Sequence, residues 1–358
     1  MDVSWKTRAA VIAAMLLLGG CQTLGYYAQA IDGQMQIWRS RRSIERWVAD
    51  EKTDPALRDR LEHVLEIRRF AVRELGLPDN GSYRGYADLH RQFVVWNVFA
   101  VPEFSLQPKR WCFPFAGCVA YRGYFAQADA QAFAEDLRGK GYDVFVGGVP
   151  AYSTLGWFDD PVLNTFIRYP EPEVARLLFH ELAHQVAYAG GDTEFNESFA
   201  TTVELEGMRR WLEMHGTQAQ REAFDRAQAR KRDFLALVQR CRDVLKALYG
   251  EEIPDARKRE AKAAVFARMR DDYGALKESW GGFAGYDHWF EPPLNNAKIV
   301  SVAAYADLVP AFQRLLADER GDLPAFYAEV KRLARMSKEE RRARLGSASP
   351  AIPSAPPV

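Results

Sequence analysis

The stretch Glu173-Val174-Ala175-Arg176-Leu177-Leu178-Phe179-His180-Glu181-Leu182-Ala183-His184-Gln185-Val186-Ala187-Tyr188 predicts one helix, with an apolar lead-in and an apolar lead-out around a polar centre. At 3.6 residues per turn His180 and His184 share a face about 6 Å apart, so both imidazoles can reach one metal ion. Glu181 falls at the edge of that face, where its carboxylate approaches a water on the metal without taking a ligand position. Two ligands and a general base at this spacing are the pattern of zinc metallopeptidases. The alternative is a pair of surface or core histidines on an ordinary helix.

A catalytic zinc needs a third protein ligand and one open position. Gly190-Gly191-Asp192 breaks the helix, and Thr193 to Leu212 reads as a second one. If that helix returns antiparallel, the segment Glu197 to Thr201 comes level with the histidines, and Glu197 is the carboxylate available there. Glu204 lies seven residues on, hence on the same face. It either holds an imidazole in place or is itself the ligand, should the turn be longer. Glu194 and Asp192 are candidates for contact with a substrate amine, or else caps of the second helix.

Around this centre the chain is 358 residues long, with 48% hydrophobic residues and equal numbers, 48 and 48, of basic and acidic side chains. Such a composition builds a large core and excludes a wholly disordered chain. Zero net charge argues against a general nucleic-acid binder, which needs a basic surplus.

The amino terminus reads as an address. Lys6 and Arg8 precede an apolar run from Ala9 to Leu18. Ten residues give a helix of about 15 Å, too short to span a bilayer but apt for a signal peptide. The run ends Leu18-Gly19-Gly20-Cys21, similar to a bacterial lipobox, which implies a lipid on Cys21 as the first mature residue. Gln22 at the next position then implies the outer membrane, with the domain in the periplasm. Cys112 and Cys118 bracket Phe-Pro-Phe-Ala-Gly, a turn-forming insert, and in an oxidising compartment they read as a small-loop disulfide, with two buried free thiols as the alternative. Cys241 reads as a core thiol.

Asp54-Pro55 reads as an N-cap and first helical position of a helix to about Leu75. Phe93 to Phe99, Val119 to Phe125 and Tyr142 to Val146 are β-rich, with a helix from about Ala128 to Gly139 between the last two. Tyr26 to Trp47 and nearly everything beyond Glu171 read as helical. The expected fold class is α+β: a small N-terminal sheet region followed by a mostly helical region. The expected organisation is a signal peptide over 1–20, a membrane-proximal helical tether over 21–50, one domain over 51–345 and a disordered tail over 346–358.

His180 to Gln185 followed by Phe195-Asn196-Glu197-Ser198-Phe199-Ala200 resembles the bacterial lipoprotein family called "putative aminopeptidase", within the gluzincin class of zincins. Gly20 to Tyr27, Cys112 to Tyr124, Tyr152 to Pro161 and Leu294 to Ala297 extend the resemblance over most of the chain. It implies one Zn2+ per chain on His180, His184 and Glu197, Glu181 as general base, and a peptide substrate. The Gly-x-Met-x-Asn signature of the best-known zinc aminopeptidases does not precede the zinc helix, so the resemblance bears on peptidase chemistry more than on cleavage direction. For the oxyanion donor, Tyr305 is the first choice from the later chain, with Tyr286, His288, Asn295 and Asn296 as others. Val149 to Gly156 is a candidate edge strand for the substrate, or a plain loop. The rival functions are a zinc endopeptidase and a zinc-binding envelope lipoprotein that does not cleave.

Overall fold

The computed structural model describes residues 25–113, 117–151, 153–291, 293–303 and 308–346. Cys21, Tyr305, the signal segment and the tail beyond Gly346 lie outside them. Helix α1 covers residues 25–40, and after β1 (Arg42–Ser43) and α2 (Ile44–Val48) comes the long α3 (Pro55–Arg73). Asp54 caps α3 by accepting from Leu57 N, with Pro55 in the first turn. The single helical run expected over Tyr26–Trp47 is thus broken at β1, which pairs antiparallel with β2 (Gly85–Ala87). The segment expected as a tether is docked on the body. Ile37 and Ile44 are buried in the main core, and the Gln29 side chain accepts from Phe125 N at 3.1 Å.

β3 (Val95–Pro102) is the central strand of an antiparallel sheet, flanked by β6 (Tyr121–Tyr124) and β7 (Tyr142–Val149). Strand alternation sends its residues to two different layers. Val98 and Ala100 pack on α4 (Gln127–Gly139), while Phe99 and Val101 pack on Ala297 and Val300 of α10 (Asn296–Ala303). β7 runs through Gly147-Gly148, where the sequence suggested an end, because each glycine pairs across to β3. Between β3 and β6 a hairpin of β4 (Trp111–Phe113) and β5 (Gly117–Val119) places Cys112 opposite Cys118, and the two form a disulfide. A short parallel strand, β8 (Val162–Leu163), completes the sheet of β1 and β2.

The rest is helical. α5 (Glu171–Ala183) and α6 (Thr193–His215) pack on each other and, with α3, α11 (Val309–Asp318) and α12 (Leu323–Ala334), enclose the main core. Gly207 allows the close approach of α6 to α5: a Cβ there would stand 2.7 Å from the ring of Phe179. A second core lies between the 33-residue α7 (Gln218–Gly250) and the 25-residue α8 (Asp255–Ser279), closed by Phe290 of α9 (Asp287–Phe290) and by Leu294. Cys241 is part of this core, 5% exposed. α13 (Lys338–Leu345) folds back onto the start of α6. The architecture is α+β and mostly helical, as its sequence patterning requires. Among the described residues no helix is long and apolar enough to cross a membrane.

Candidate metal centre and cleft

The residues of α5 that line the cleft are Glu173, Arg176, Leu177, His180 and Glu181, one stripe at helical spacing at the edge of the main core. α6 presents a matching stripe of Glu197, Thr201 and Glu204. The stripes form one wall of a cleft of about 580 Å³ whose other wall is α7, with Tyr286 and Val302 at its margin.

α5 ends at Ala183, earlier than expected, because the chain tightens: Gln185 N and Val186 N donate to carbonyls three residues back. His184 keeps helical dihedrals and donates its amide to His180 O, so the two rings remain on one face with centroids 4.9 Å apart. Gln185 locks this end of the helix by donating to Ser82 Oγ and accepting from Asn80 Nδ2. The return to α6 turns through Gly191 at φ +75°, a conformation that favours glycine. Buried Asn196 then pairs with Ala189 in both directions, accepting from its N–H at 2.7 Å and donating to its C=O at 2.9 Å. That amide pair sets how far α6 slides along α5, and so where Glu197 stands. Asp192 closes the other side of the turn in a buried ion pair with Arg341 at 2.9 Å.

This framing brings ligand atoms of His180, His184 and Glu197 within 4.8 Å of one another. Nε2 of His180 lies 3.3 Å from Glu197, and Nε2 of His184 lies 3.8 Å from it. Glu204 accepts from His180 Nδ1 at 2.9 Å and is held in turn by Arg176 at 2.8 Å. Glu204 is therefore the residue that orients an imidazole, not one of the converging ligands.

The donor set fits a divalent cation. His184 is 8% exposed, its Nδ1 has no hydrogen-bond partner among the described residues, and its Nε2 is too far from Glu197 for a good hydrogen bond. A buried imidazole so poorly satisfied by protein groups is expected where an ion completes the site. The electrostatics agree. Burial works against charge on His180, yet the carboxylates of Glu197 and Glu204 lift it to about 10. The centre thus favours positive charge strongly. Burial and the neighbouring His180 charge lower His184 to about 4, which keeps it neutral, as a ligand must be. Burial also opposes the charge of Glu204, but His180 and Arg176 prevail and hold it down at about 2.

Glu181 stands beside the three, with no hydrogen bond or ion pair among the described residues. Burial, aided by Glu197 and Asp160, raises it to about 7 despite the opposing charge of His180. Two tyrosines that the sequence did not single out lie within electrostatic reach of the same centre. Burial raises Tyr121 well above its ordinary range, and the charges of Glu197 and Glu181 add to it; Tyr188 is raised by burial and by Glu197. Tyr121 follows the disulfide hairpin, which abuts the α5–α6 turn. Arg110 donates to both Cys118 O at 2.7 Å and Gly191 O at 3.2 Å. No local signal in the sequence ties that hairpin to the histidines.

Other expected site residues are elsewhere. Glu194 is bound to Arg342 at 2.5 Å and does not line the cleft. His288 is almost fully exposed and pairs with Glu291. Asn295 donates to Val144 O, and buried Asn296 is spent on the carbonyls of Glu103 and Ser105. Tyr286 is in the cleft wall, stacked on Phe234 at 4.4 Å. Beyond Val149 the described residues of the candidate substrate strand form a loop, and Tyr152 lies outside them. Pro150 O accepts from Thr165 and Thr154 N donates to Asp160, and Leu155 and Gly156 have φ of 57° and 79°, which ends any extended conformation.

No curated protein and no solved structure matches the chain significantly. The family model described as "Putative aminopeptidase" matches residues 25–345. That span holds both helices of the centre, the disulfide hairpin and the α7 wall, and the chain belongs to this family.

Proposed function

We propose that the protein is a zinc-dependent peptidase, with His180, His184 and Glu197 as the ligands and Glu181 as general base. The observation that carries this reading is the unpaired Glu181 carboxylate, partly buried beside the three converging ligands and open to the same cleft. The metal, when bound, supplies a Lewis acid that polarises the scissile carbonyl and acidifies water. Glu181 takes the proton of the attacking water on its carboxylate and passes it to the leaving nitrogen. Glu204 keeps the His180 Nδ1 proton in place, fixing the tautomer in which Nε2 is the acceptor. Tyr121, kept protonated by burial and by the nearby carboxylates, is our assignment for the donor to the developing oxyanion.

The family description favours cleavage from an amino terminus. One observation favours the second reading, an endopeptidase. Recognition of an α-amine calls for a free carboxylate, and the lining carboxylates other than Glu181 are already engaged: Glu173 by Arg176, Glu204 by Arg176 and His180, Glu197 by His180. In our reading the enzyme is held at the outer membrane by lipid on Cys21, with its body in the periplasm.

The test is metal content together with hydrolysis of an unbiased peptide mixture by the full chain in detergent, beside Glu181→Gln. Single residues released from amino termini by the wild type alone indicate an aminopeptidase, and internal cuts an endopeptidase. One zinc per chain with no cleavage by either protein would replace this reading with a non-cleaving zinc lipoprotein.

A further inference from the structure

The wall facing the histidines is one stripe of α7: Ala227, Gln228, Lys231, Phe234 and Leu235, at helical spacing. Among the described residues, four carboxylates and two cations line the cleft. One cation, Arg176, is spent on Glu173 and Glu204, at 2.9 and 2.8 Å. The other, Lys231, is partly buried and makes no hydrogen bond or ion pair among the described residues. Glu204, a carboxylate its charge helps keep ionised, is already held by His180 and Arg176. The apolar side chains of Phe234 and Leu235 lie on the same stripe beside it. A cation on a cleft wall without a protein counter-ion is a ready partner for a ligand's negative charge.

We propose that Lys231 binds a carboxylate of the substrate, placed across the cleft from the histidines, while Phe234, Leu235 and Tyr286 hold the apolar part of the same peptide. The proposal rests on the peptidase reading and narrows it to a substrate class: peptides with an acidic side chain or a free carboxy terminus close to the scissile bond. A carboxylate on Lys231 makes a charge-assisted hydrogen bond in a partly desolvated place, where such bonds are strongest. It also orients the peptide, since the metal centre holds one end of the reacting unit and Lys231 the other.

The experiment measures binding to the full-length Glu181→Gln protein, loaded with zinc, by calorimetry. Three probes are titrated: a neutral peptide blocked at both ends, the same peptide with one glutamate side chain, and the neutral peptide with a free carboxy terminus. At least one carboxylate-bearing peptide is expected to bind about tenfold more tightly than the neutral one. Which of the two gains identifies the source of the carboxylate. Adding Lys231→Gln should erase the gain, and Lys231→Arg should keep most of it. Equal binding of all three peptides overturns the assignment of Lys231 and leaves the peptidase reading standing, as does a gain that survives Lys231→Gln. Zinc-loaded protein that binds none of the three overturns both.

Discussion

Glu204 accepts the Nδ1 proton of His180 at 2.9 Å, while Nε2 of the same ring faces Glu197 at 3.3 Å. One imidazole is thus fixed from behind by a carboxylate on the helix that also carries Glu197, the third candidate ligand. Arg176 closes the chain on the other oxygen of Glu204 at 2.8 Å, so that a carboxylate only 1% exposed is never left uncompensated. Glu204→Gln keeps the shape and removes the charge. Metal affinity is expected to fall about 10- to 100-fold, read by competition with a chromophoric chelator.

Among the described residues, Glu181 is the one carboxylate of the centre with no hydrogen bond or ion pair. Glu181→Gln should retain the metal and lower kcat by a factor of about 10²–10⁴. Metal analysis beside steady-state kinetics separates the two effects. Loss of metal along with activity would make Glu181 a ligand.

Tyr121→Phe removes a single hydroxyl from a ring otherwise packed on Phe99 at 5.6 Å. An oxyanion donor acts in the transition state, so kcat should drop about 10²-fold or more with KM and metal content nearly unchanged. A change confined to KM would make Tyr121 a substrate-binding group.

Asn196→Ala strands the amide of Ala189 at a buried turn, while its carbonyl keeps the Asp192 N–H at 3.2 Å. An orphaned group costs about 1–3 kcal/mol, so urea unfolding should show a loss of that order. Because the same pair sets the register of Glu197, the surviving folded protein should also bind metal more weakly.

Burial raises Asp160 from 3.8 to about 6, although it accepts from Thr154 N. A raised folded-state pKa means that the folded protein holds this proton more tightly than the unfolded chain does. The corresponding stability is present below about pH 4 and is lost as pH rises through about 6. Asp160→Asn mimics the protonated form. It should be more stable than the wild type at pH 7, by up to about 3 kcal/mol, with the difference vanishing near pH 4. Urea midpoints of both proteins at the two pH values check this, and a destabilised variant at pH 7 would reverse the sign.

The sequence by itself determined what is local in the chain. The spacing of His180 and His184 puts two imidazoles on one helical face whatever surrounds them, and a glycine-rich break followed by a second amphipathic run predicts the antiparallel return that brings Glu197 level. The caps and the alternation of the strands are equally local, and so the α+β class was legible. Tertiary structure decided everything that depends on which distant surfaces meet. Asn196 and Ala189 set the register that separates candidate ligand Glu197 from Glu204 behind His180, a distinction that one helical face cannot make. The disulfide hairpin, docked through Arg110, brings Tyr121 within electrostatic reach of the centre from some sixty residues upstream. Glu194, exposed to choice in the sequence, was claimed by Arg342 of α13, and Asn296 by carbonyls nearly two hundred residues away. Polar side chains with several possible partners satisfy whichever groups the packed cores place beside them, and helical periodicity carries no record of that choice.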